Sequence, residues 1–241
     1  MLKKENNRYN ENVALITQRH PRSAVAEAYR TLRTNLSFAS LDHSCRSIMV
    51  TSPGPGDGKS TTAANLAIVL AQAGKTVLLV DCDLRKPALH KIFELDNSSG
   101  FTNAVVQGRD PAELAQPGPV EGLFVLPSGP LPPNPAELLG SERVRGLWPG
   151  LLERFDTVVV DAPPVLAVTD AVLLAAQVEG VILVIWAGAA RVEIAQEAKE
   201  QLTKASARII GVVLNKVKVP SRDYHYYYYY HPKEKEDIIR L

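Results

Sequence analysis

Short apolar runs rich in β-branched residues alternate with longer stretches of helical periodicity along most of this chain of 241 residues. Strands are predicted over residues 47–52, 76–81, 123–126, 157–161, 181–186 and 209–214. Helices are predicted between them, over residues 59–73, 88–93, 141–154, 171–177 and 192–205. Several strands are apolar throughout, which is typical of strands buried on both faces. The alternation predicts an α/β fold: a doubly wound, mainly parallel sheet with helices on both faces and a ligand at the carboxyl ends of its strands.

A single domain is expected, because the chain has the usual size of one α/β domain. The predicted units are a flexible N-terminal arm over 1–22, a folded domain over 23–217 and a flexible tail over 218–241. The domain opens with a helix predicted over 23–38, for which Ser23 is a suitable N-cap.

Composition excludes several classes of protein. With 27 basic and 26 acidic residues, the chain has no excess of positive charge for binding nucleic acid. Cys45 and Cys82 lack the spacing of a zinc site or a disulfide framework, which indicates a reducing cytoplasm. The N-terminus lacks the apolar run of a signal peptide, and the longest apolar stretch, residues 181–190, is too short to cross a bilayer. We therefore expect a cytoplasmic protein that reaches a membrane only through a partner.

The phosphate-binding potential of the chain lies in the segment TSPGPGDGKS, residues 51–60, which follows a predicted strand and begins a predicted helix. Gly54, Gly56 and Gly58 allow successive N–H groups to face one anion at the positive end of the helix dipole. Lys59 would then contact the β- and γ-phosphates, and the Ser60 hydroxyl would bind Mg²⁺. The strict pattern G-x-x-x-x-G-K-[ST] begins with glycine where this chain has Pro53, so the loop alone also fits a glycine-rich turn without a ligand.

Carboxylates follow two of the predicted strands. Asp81 and Asp83 end one of them, and Asp161 ends another. Each alone could be an aspartate that caps a turn. Together they should meet at one edge of the sheet, where buried charges need a partner, and magnesium with phosphate is the simplest partner for all three.

These motifs together resemble the P-loop proteins that carry a second aspartate pair on a Walker A′ strand. Two groups share this feature: the bacterial tyrosine kinases, and the partitioning and cell-division-site ATPases. The ATPases carry a signature lysine inside the loop, where this chain has Gly54, which favours the kinases. A ParA/MinD-like ATPase switch without kinase activity is the alternative.

The resemblance to the kinases runs from about residue 23 to residue 231. It includes the E-x-x-R-x-x-R helix at 27–33, the loop at 52–60, the Walker A′ segment at 81–87, the block 130–139, the Walker B segment at 155–164, and residues 169–170 and 211–216. Ala162 departs from the family pattern, which more often has threonine there.

The resemblance implies a P-loop NTPase-like fold and an enzyme that transfers the γ-phosphoryl group of ATP to tyrosine with Mg²⁺. It implies nucleotide binding by Gly56, Asp57, Gly58, Lys59, Ser60, Thr61 and Asn215, metal binding by Ser60, Asp83 and Asp161, and catalysis by Asp81, Lys59 and Asp83. Asp81 would orient or deprotonate the attacking tyrosine. Asn215 would contact the adenine, although an asparagine that ends a strand at a turn is an equally simple reading.

Six of the eight tyrosines form a cluster near the C-terminus: Tyr224, Tyr226, Tyr227, Tyr228, Tyr229 and Tyr230. On composition alone the cluster could be a β-prone segment or an aromatic surface for a partner. The resemblance instead implies that it is the phosphoacceptor, modified by a neighbouring subunit.

Glu27, Arg30 and Arg33 would, by the same resemblance, mediate self-association of the chain into a homo-oligomeric ring. Charges at this spacing are also common on a solvated helix face. The other implied partners are a transmembrane modulator, a tyrosine phosphatase and further protein substrates, but no nucleic acid. The implied role is control of capsular or extracellular polysaccharide synthesis and export at the inner face of the plasma membrane.

Overall fold

The structure is a computed structural model that describes residues 15–39 and 45–217. The helices are α1 (Ile16–Arg19), α2 (Ala24–Ala39), α3 (Lys59–Ala71), α4 (Leu89–Ile92), α5 (Phe101–Gln107), α6 (Pro111–Leu114), α7 (Pro135–Leu139), α8 (Glu142–Arg154), α9 (Asp170–Ala175) and α10 (Val192–Lys204). The strands are β1 (Ser47–Thr51), β2 (Val77–Asp81), β3 (Gln116–Pro117), β4 (Leu123–Leu126), β5 (Thr157–Asp161), β6 (Gly180–Trp186) and β7 (Ile209–Asn215). The tyrosine cluster and the rest of the predicted tail, 218–241, lie outside the described residues.

Seven strands in the described part of the chain form one sheet in the order β3-β4-β2-β5-β1-β6-β7. Every neighbouring pair is parallel except β3 and β4. Strands β1, β2 and β5 are buried at every position, in keeping with their uninterrupted apolar sequences. The predicted doubly wound, mainly parallel sheet is confirmed, and the six predicted strands end within one residue of the observed bounds.

Helices cover both faces of this sheet and form two hydrophobic layers. On one face α3 is buried along nearly its whole length, and α1 and α2 pack over it. On the other face Phe101 of α5 stacks on Trp148 of α8, with ring centroids 6.4 Å apart. Complete burial of one leucine such as Leu66 contributes roughly 1.5–3 kcal/mol, so α3 is firmly anchored beneath the sheet. The loop that precedes α3 is therefore held by the best-packed helix of the fold.

The prediction of a flexible N-terminal arm as far as residue 22 is wrong from residue 15 onward. Leu15 and Ile16 are buried, and Thr17 is fully buried against α3. There the Asn65 Oδ1 atom accepts hydrogen bonds from the Thr17 N–H (3.0 Å) and the Thr17 hydroxyl (2.8 Å). Leu15 and Ile16 are adjacent and show no helical period, so the local sequence did not indicate this contact.

The short elements α1, α5, α6, α7 and β3 were also not predicted, whereas the ends of the predicted helices differ from those observed by two residues or fewer. Within residues 15–39 and 45–217, no helix combines the length and the apolar character needed to span a membrane.

Candidate active site

The phosphate loop runs from the end of β1 to the start of α3 and is braced by its own side chains. The Ser52 hydroxyl donates to the Gly54 carbonyl (2.7 Å), and the Asp57 carboxylate accepts from the Gly54 N–H (3.2 Å). Gly58, the last residue before α3, has a left-handed φ of +97°, and a Cβ at this position would lie 2.0 Å from the Asn215 amide nitrogen. Position 58 therefore requires glycine both for its backbone angle and for the close approach of Asn215.

Lys59, the first residue of α3, joins three of the predicted site residues. Its Nζ lies 2.8 Å from Asp83 Oδ2 and 3.2 Å from Asp161 Oδ1, and it donates to the Ser60 hydroxyl at 3.2 Å. Burial by itself would lower the pKa of Lys59, but the charges of Asp161 and Asp83 outweigh it and raise this pKa above its ordinary value. Lys59 is therefore a charged ammonium group inside a largely enclosed site.

Asp161, at the end of β5, is fully buried, and its Oδ2 atom makes no hydrogen bond in the described part of the chain. Burial raises the pKa of Asp161 against the opposing charge of Lys59. A buried carboxylate oxygen without a partner is costly, and a bound cation would satisfy it.

Magnesium fits the residues around this oxygen. Residues 15–39 and 45–217 contain no ready-made group of three His, Cys, Asp or Glu side chains that could hold a metal. Magnesium does not need one, because in nucleotide sites it usually has one or two protein carboxylates, with phosphates and waters completing its shell. Ser60, Asp83 and Asp161 supply a set of this kind.

Asp81, at the end of β2, is fully buried and holds the loop that follows it. Its Oδ2 atom accepts from the N–H groups of Ala88 (3.0 Å) and Leu89 (2.9 Å), and its Oδ1 atom accepts from the Asp83 N–H (3.2 Å). Burial and, secondly, the charge of Asp161 raise the pKa of Asp81 to about 7. Asp81 therefore organises the Walker A′ loop and also titrates near neutral pH.

Arg85, within this loop, forms an ion pair with Asp170. The sequence pattern did not predict this pair. The guanidinium donates twice to the carboxylate, from Nε (2.9 Å) and from Nη2 (3.0 Å), and the Asp170 side chain is fully buried. The pair ties the Walker A′ loop to the start of α9. Both residues lie in segments that resemble the kinase family, but no local pattern links two residues that are 85 positions apart.

The end of β7 packs against the other side of the phosphate loop. Asn215 donates its amide hydrogen to the Asp57 carbonyl (2.8 Å), so this side chain contacts the loop in the present structure. Lys216, which was not predicted, donates to the Gly56 carbonyl (2.9 Å) and lies 3.6 Å from the centre of the Trp186 ring. Thr61 lies in the first turn of α3, as expected.

The residues predicted for self-association make contacts within the chain. Ser23 caps α2 as predicted, because its hydroxyl accepts from the Ala26 N–H (3.1 Å). Glu27 and Arg30 form an ion pair (2.8 Å), as the solvated-face reading anticipated, while Arg33 donates to the Val69 carbonyl of α3 (2.9 Å). Helix α2 is thus fastened directly to the helix that carries Lys59.

The fold and this loop define a nucleotide-binding protein, and comparison with known proteins identifies its family. Residues 48–230 match the family described as CbiA, the CobQ/CobB/MinD/ParA nucleotide binding domain. The chain is 45% identical to the tyrosine-protein kinase YwqD of Bacillus subtilis (strain 168), over 88% of this chain and 89% of that protein.

Two solved structures agree with this relationship. The chimerical protein CapA2B2 has a TM-score of 0.82 at 39% identity, covering 86% of this chain and 91% of that one. The kinase domain of the Escherichia coli tyrosine kinase ETK has a TM-score of 0.82 at 32% identity, covering 86% and 81%. The chain therefore belongs to the bacterial tyrosine-protein kinases, a family of enzymes, and the predicted resemblance is confirmed.

Proposed function

We propose that this chain uses Mg²⁺ and ATP to phosphorylate the tyrosine cluster at residues 224–230 of a neighbouring copy. The observation that carries this proposal is the Lys59 ammonium, which lies between Asp83 and Asp161 at the sheet edge where Asp81 is also buried. A fixed positive charge, a buried oxygen without a partner and a carboxyl group that titrates near pH 7 are the components that phosphoryl transfer to a phenol needs.

Bound Mg²⁺-ATP would supply the γ-phosphoryl group and a metal charge that stabilises its transfer. Ser60, Asp83 and Asp161 would hold the metal, and Lys59 would contact the phosphate oxygens. A tyrosine hydroxyl has a pKa of about 10, so it needs a base at neutral pH. Asp81 would accept its proton while the tyrosine oxygen bonds to the γ-phosphorus and the bond from that phosphorus to the ADP oxygen breaks.

The segment between β7 and the tyrosine cluster is long enough to permit phosphoryl transfer within one chain as well as between chains. Tyr224 lies seven residues beyond Val217, so the intervening segment spans at most about 24 Å. Strands β7 and β2 are four strand spacings apart in the sheet, or about 19 Å. The preference for a neighbouring subunit therefore comes from the family resemblance, and a mixing experiment separates the two routes.

In that experiment, Lys59→Met chains with an intact tail are mixed with chains that have an intact site but phenylalanine at all six clustered positions. With Mg²⁺-ATP, transfer between chains puts phosphotyrosine on the Lys59→Met chain, as detected by mass spectrometry. A Lys59→Met chain that stays unmodified, while the wild-type chain alone is phosphorylated, would overturn the route between chains. If the wild-type chain hydrolyses ATP and its tail stays bare, the ParA/MinD-like ATPase alternative is correct.

Phosphorylation is proposed to dissociate the oligomer. Each phosphate adds about −1.5 to −2 charges at pH 7, so six would add roughly −9 to −12 to one tail. Gel filtration should show a large species for the Lys59→Met chain and a small one for wild type incubated with Mg²⁺-ATP. Identical elution despite verified phosphotyrosine would contradict this step.

The family resemblance further supports a transmembrane modulator as partner, a place at the inner face of the plasma membrane, and control of capsular or extracellular polysaccharide synthesis and export. A tyrosine phosphatase and other protein substrates belong to the same proposal. Deletion of the gene should change the amount or chain length of surface polysaccharide. The wild-type gene should restore the normal polysaccharide, and the Lys59→Met form, which lacks phosphotransfer, should not.

A further inference from the structure

Two peptide units of the phosphate loop are held from outside by the end of β7. The Gly56 carbonyl accepts from Lys216 Nζ (2.9 Å), and the Asp57 carbonyl accepts from Asn215 Nδ2 (2.8 Å). In a trans peptide the N–H group points away from the carbonyl of the same unit. The N–H groups of Asp57 and Gly58 therefore point away from β7.

We infer that Lys216 and Asn215 are positioning residues that orient the Asp57 and Gly58 N–H groups toward bound phosphate. Backbone N–H groups in such a loop are its anion-binding groups, and their direction decides how well it binds. Groups that are already oriented do not pay an ordering cost when the ligand arrives. The inference rests on the proposed function only in that the loop must bind a polyphosphate.

Lys216 is itself held in place, unlike a typical surface lysine. Its ammonium lies 3.6 Å from the centre of the Trp186 ring, which is the geometry of a cation–π contact. Its backbone has a left-handed φ of +56°, and its N–H donates to the Asn215 side-chain oxygen (2.9 Å). A lysine keeps this unfavourable backbone conformation only where its surroundings impose it.

Charge adds to the effect of geometry. A hydrogen bond from an ammonium polarises the Gly56–Asp57 peptide unit, so the N–H at its other end becomes a stronger donor. Gly58 completes the arrangement, because any side chain there would collide with the Asn215 amide. Lys216 and Asn215 thus contact the phosphate loop without needing to touch the ligand.

Binding of truncated ligands distinguishes this role from the adenine contact predicted for Asn215. Mg²⁺-ADP, tripolyphosphate and adenosine are titrated calorimetrically into the full chain and into its Lys216→Met and Asn215→Ala variants. If both residues orient the loop, each variant should weaken ADP and tripolyphosphate binding by the same factor, about three- to thirtyfold for a hydrogen bond of this kind. Loss of ADP and adenosine affinity with unchanged tripolyphosphate affinity would overturn the inference.

A second measurement needs no ligand. The NMR order parameters of the Asp57 and Gly58 amides should fall in Lys216→Met and recover in Lys216→Arg, which restores a charged donor. Lys204→Met, at an exposed position at the end of α10, is the matched control and should change neither the order parameters nor binding. Unchanged order parameters in Lys216→Met would also overturn the inference. A wild-type chain that binds tripolyphosphate but phosphorylates no tyrosine would refute only the proposed function.

Discussion

Asp81 and Asp161 face each other in the parallel register of β2 and β5, at the last paired position of the two strands. Both side chains are fully buried, and the charge of Asp161 contributes to the raised pKa of Asp81. Lys59 offsets this repulsion, because its ammonium contacts Asp161 and Asp83 at once. The stability of the site therefore depends on one balance between negative and positive charge, and a substitution that disturbs this balance should change both folding stability and activity.

Replacement of Lys59 by methionine should impair both properties. We expect phosphotransfer to fall by at least about 10²–10³-fold, the usual cost of losing one donor that stabilises transition-state charge. The free energy of unfolding at pH 8 should fall by about 3–5 kcal/mol, since two enclosed carboxylates lose their partner. Urea denaturation measures the second effect.

Two comparisons make this prediction specific. Lys75→Met, at an exposed position, should unfold like wild type. Adding Asp161→Asn to Lys59→Met should recover part of the lost stability because it removes one unpaired charge. A double variant that is less stable than Lys59→Met would show that the charge balance described above is wrong.

The pH dependence of phosphotransfer should report on Asp81. Only its carboxylate form can accept a proton, so the wild-type rate should rise with pH and level off above about 7. Asp81→Asn should lower the rate about 10²–10⁴-fold and lose this dependence. Initial rates on both sides of pH 7 test the point, and an Asp81→Asn profile that keeps the same acid limb would assign that limb to another group.

Ionisation of Asp81 should affect stability in the opposite direction to its effect on rate: as pH rises, the rate of phosphotransfer increases and the contribution of Asp81 to stability decreases. The folded-state pKa of Asp81, about 7, lies above the value of about 3.9 expected for the unfolded chain. Protonation of Asp81 thus favours the folded state at low pH, and this contribution is lost as pH rises through 7. The difference in unfolding free energy between Asp81→Asn and wild type should therefore favour the variant more at pH 8 than at pH 5. Urea midpoints that show the reverse trend would contradict this prediction.

Removal of Arg85 should loosen the Walker A′ loop. Arg85→Met leaves the fully buried Asp170 carboxylate without its two hydrogen bonds, and we expect a loss of about 1–3 kcal/mol in unfolding free energy. Arg85→Lys keeps the charge but not the paired geometry, so its effect should be intermediate.

Arg145 provides the control for this pair. It forms an exposed i,i+3 ion pair with Glu142, and Arg145→Met should cost less than about 1 kcal/mol. Equal effects of Arg85→Met and Arg145→Met would mean that burial of Asp170 adds nothing to the pair.

Self-association can be tested without disturbing the fold. Glu27→Gln removes a partly exposed ion pair with Arg30 and should change the free energy of unfolding by about 1 kcal/mol or less. If these residues mediate assembly, sedimentation should show a shift toward monomers at equal concentration. Arg33→Met is less selective, because it also removes the hydrogen bond to the Val69 carbonyl. Unchanged assembly of Glu27→Gln would leave the ion pair as a feature of the helix surface alone.

The centre of the sheet was predictable because each of its strands is an uninterrupted apolar run. The same runs placed Asp81 and Asp161 at one edge, and the glycine-rich loop placed Lys59 beside them. Short elements were missed: α6 and α7 each begin at a proline, Pro111 and Pro135, and contain five residues or fewer, too few to establish a periodicity.

The remaining site residues were missed for a different reason. Arg85 and Lys216 act through contacts with residues far away in the chain, Asp170 and Gly56, and only the folded sheet brings these together. Both residues lie in segments that resemble the kinase family, but no local pattern identifies the distant residue that each of them contacts. Conversely, Asn215 was predicted as a ligand contact, but its position beside the phosphate loop comes from the alignment of β7 with β6.

The attachment of α2 to α3 through Arg33 and Val69 would connect the proposed assembly mechanically to nucleotide binding. Thermodynamic linkage then imposes a symmetry on any ring formed through α2. If assembled chains bind ATP more tightly than single chains do, ATP must favour assembly by the same factor. ADP would favour assembly less than ATP only to the extent that it contacts α3 differently. Such a ring would respond to the cellular ratio of the two nucleotides even before any tyrosine is modified.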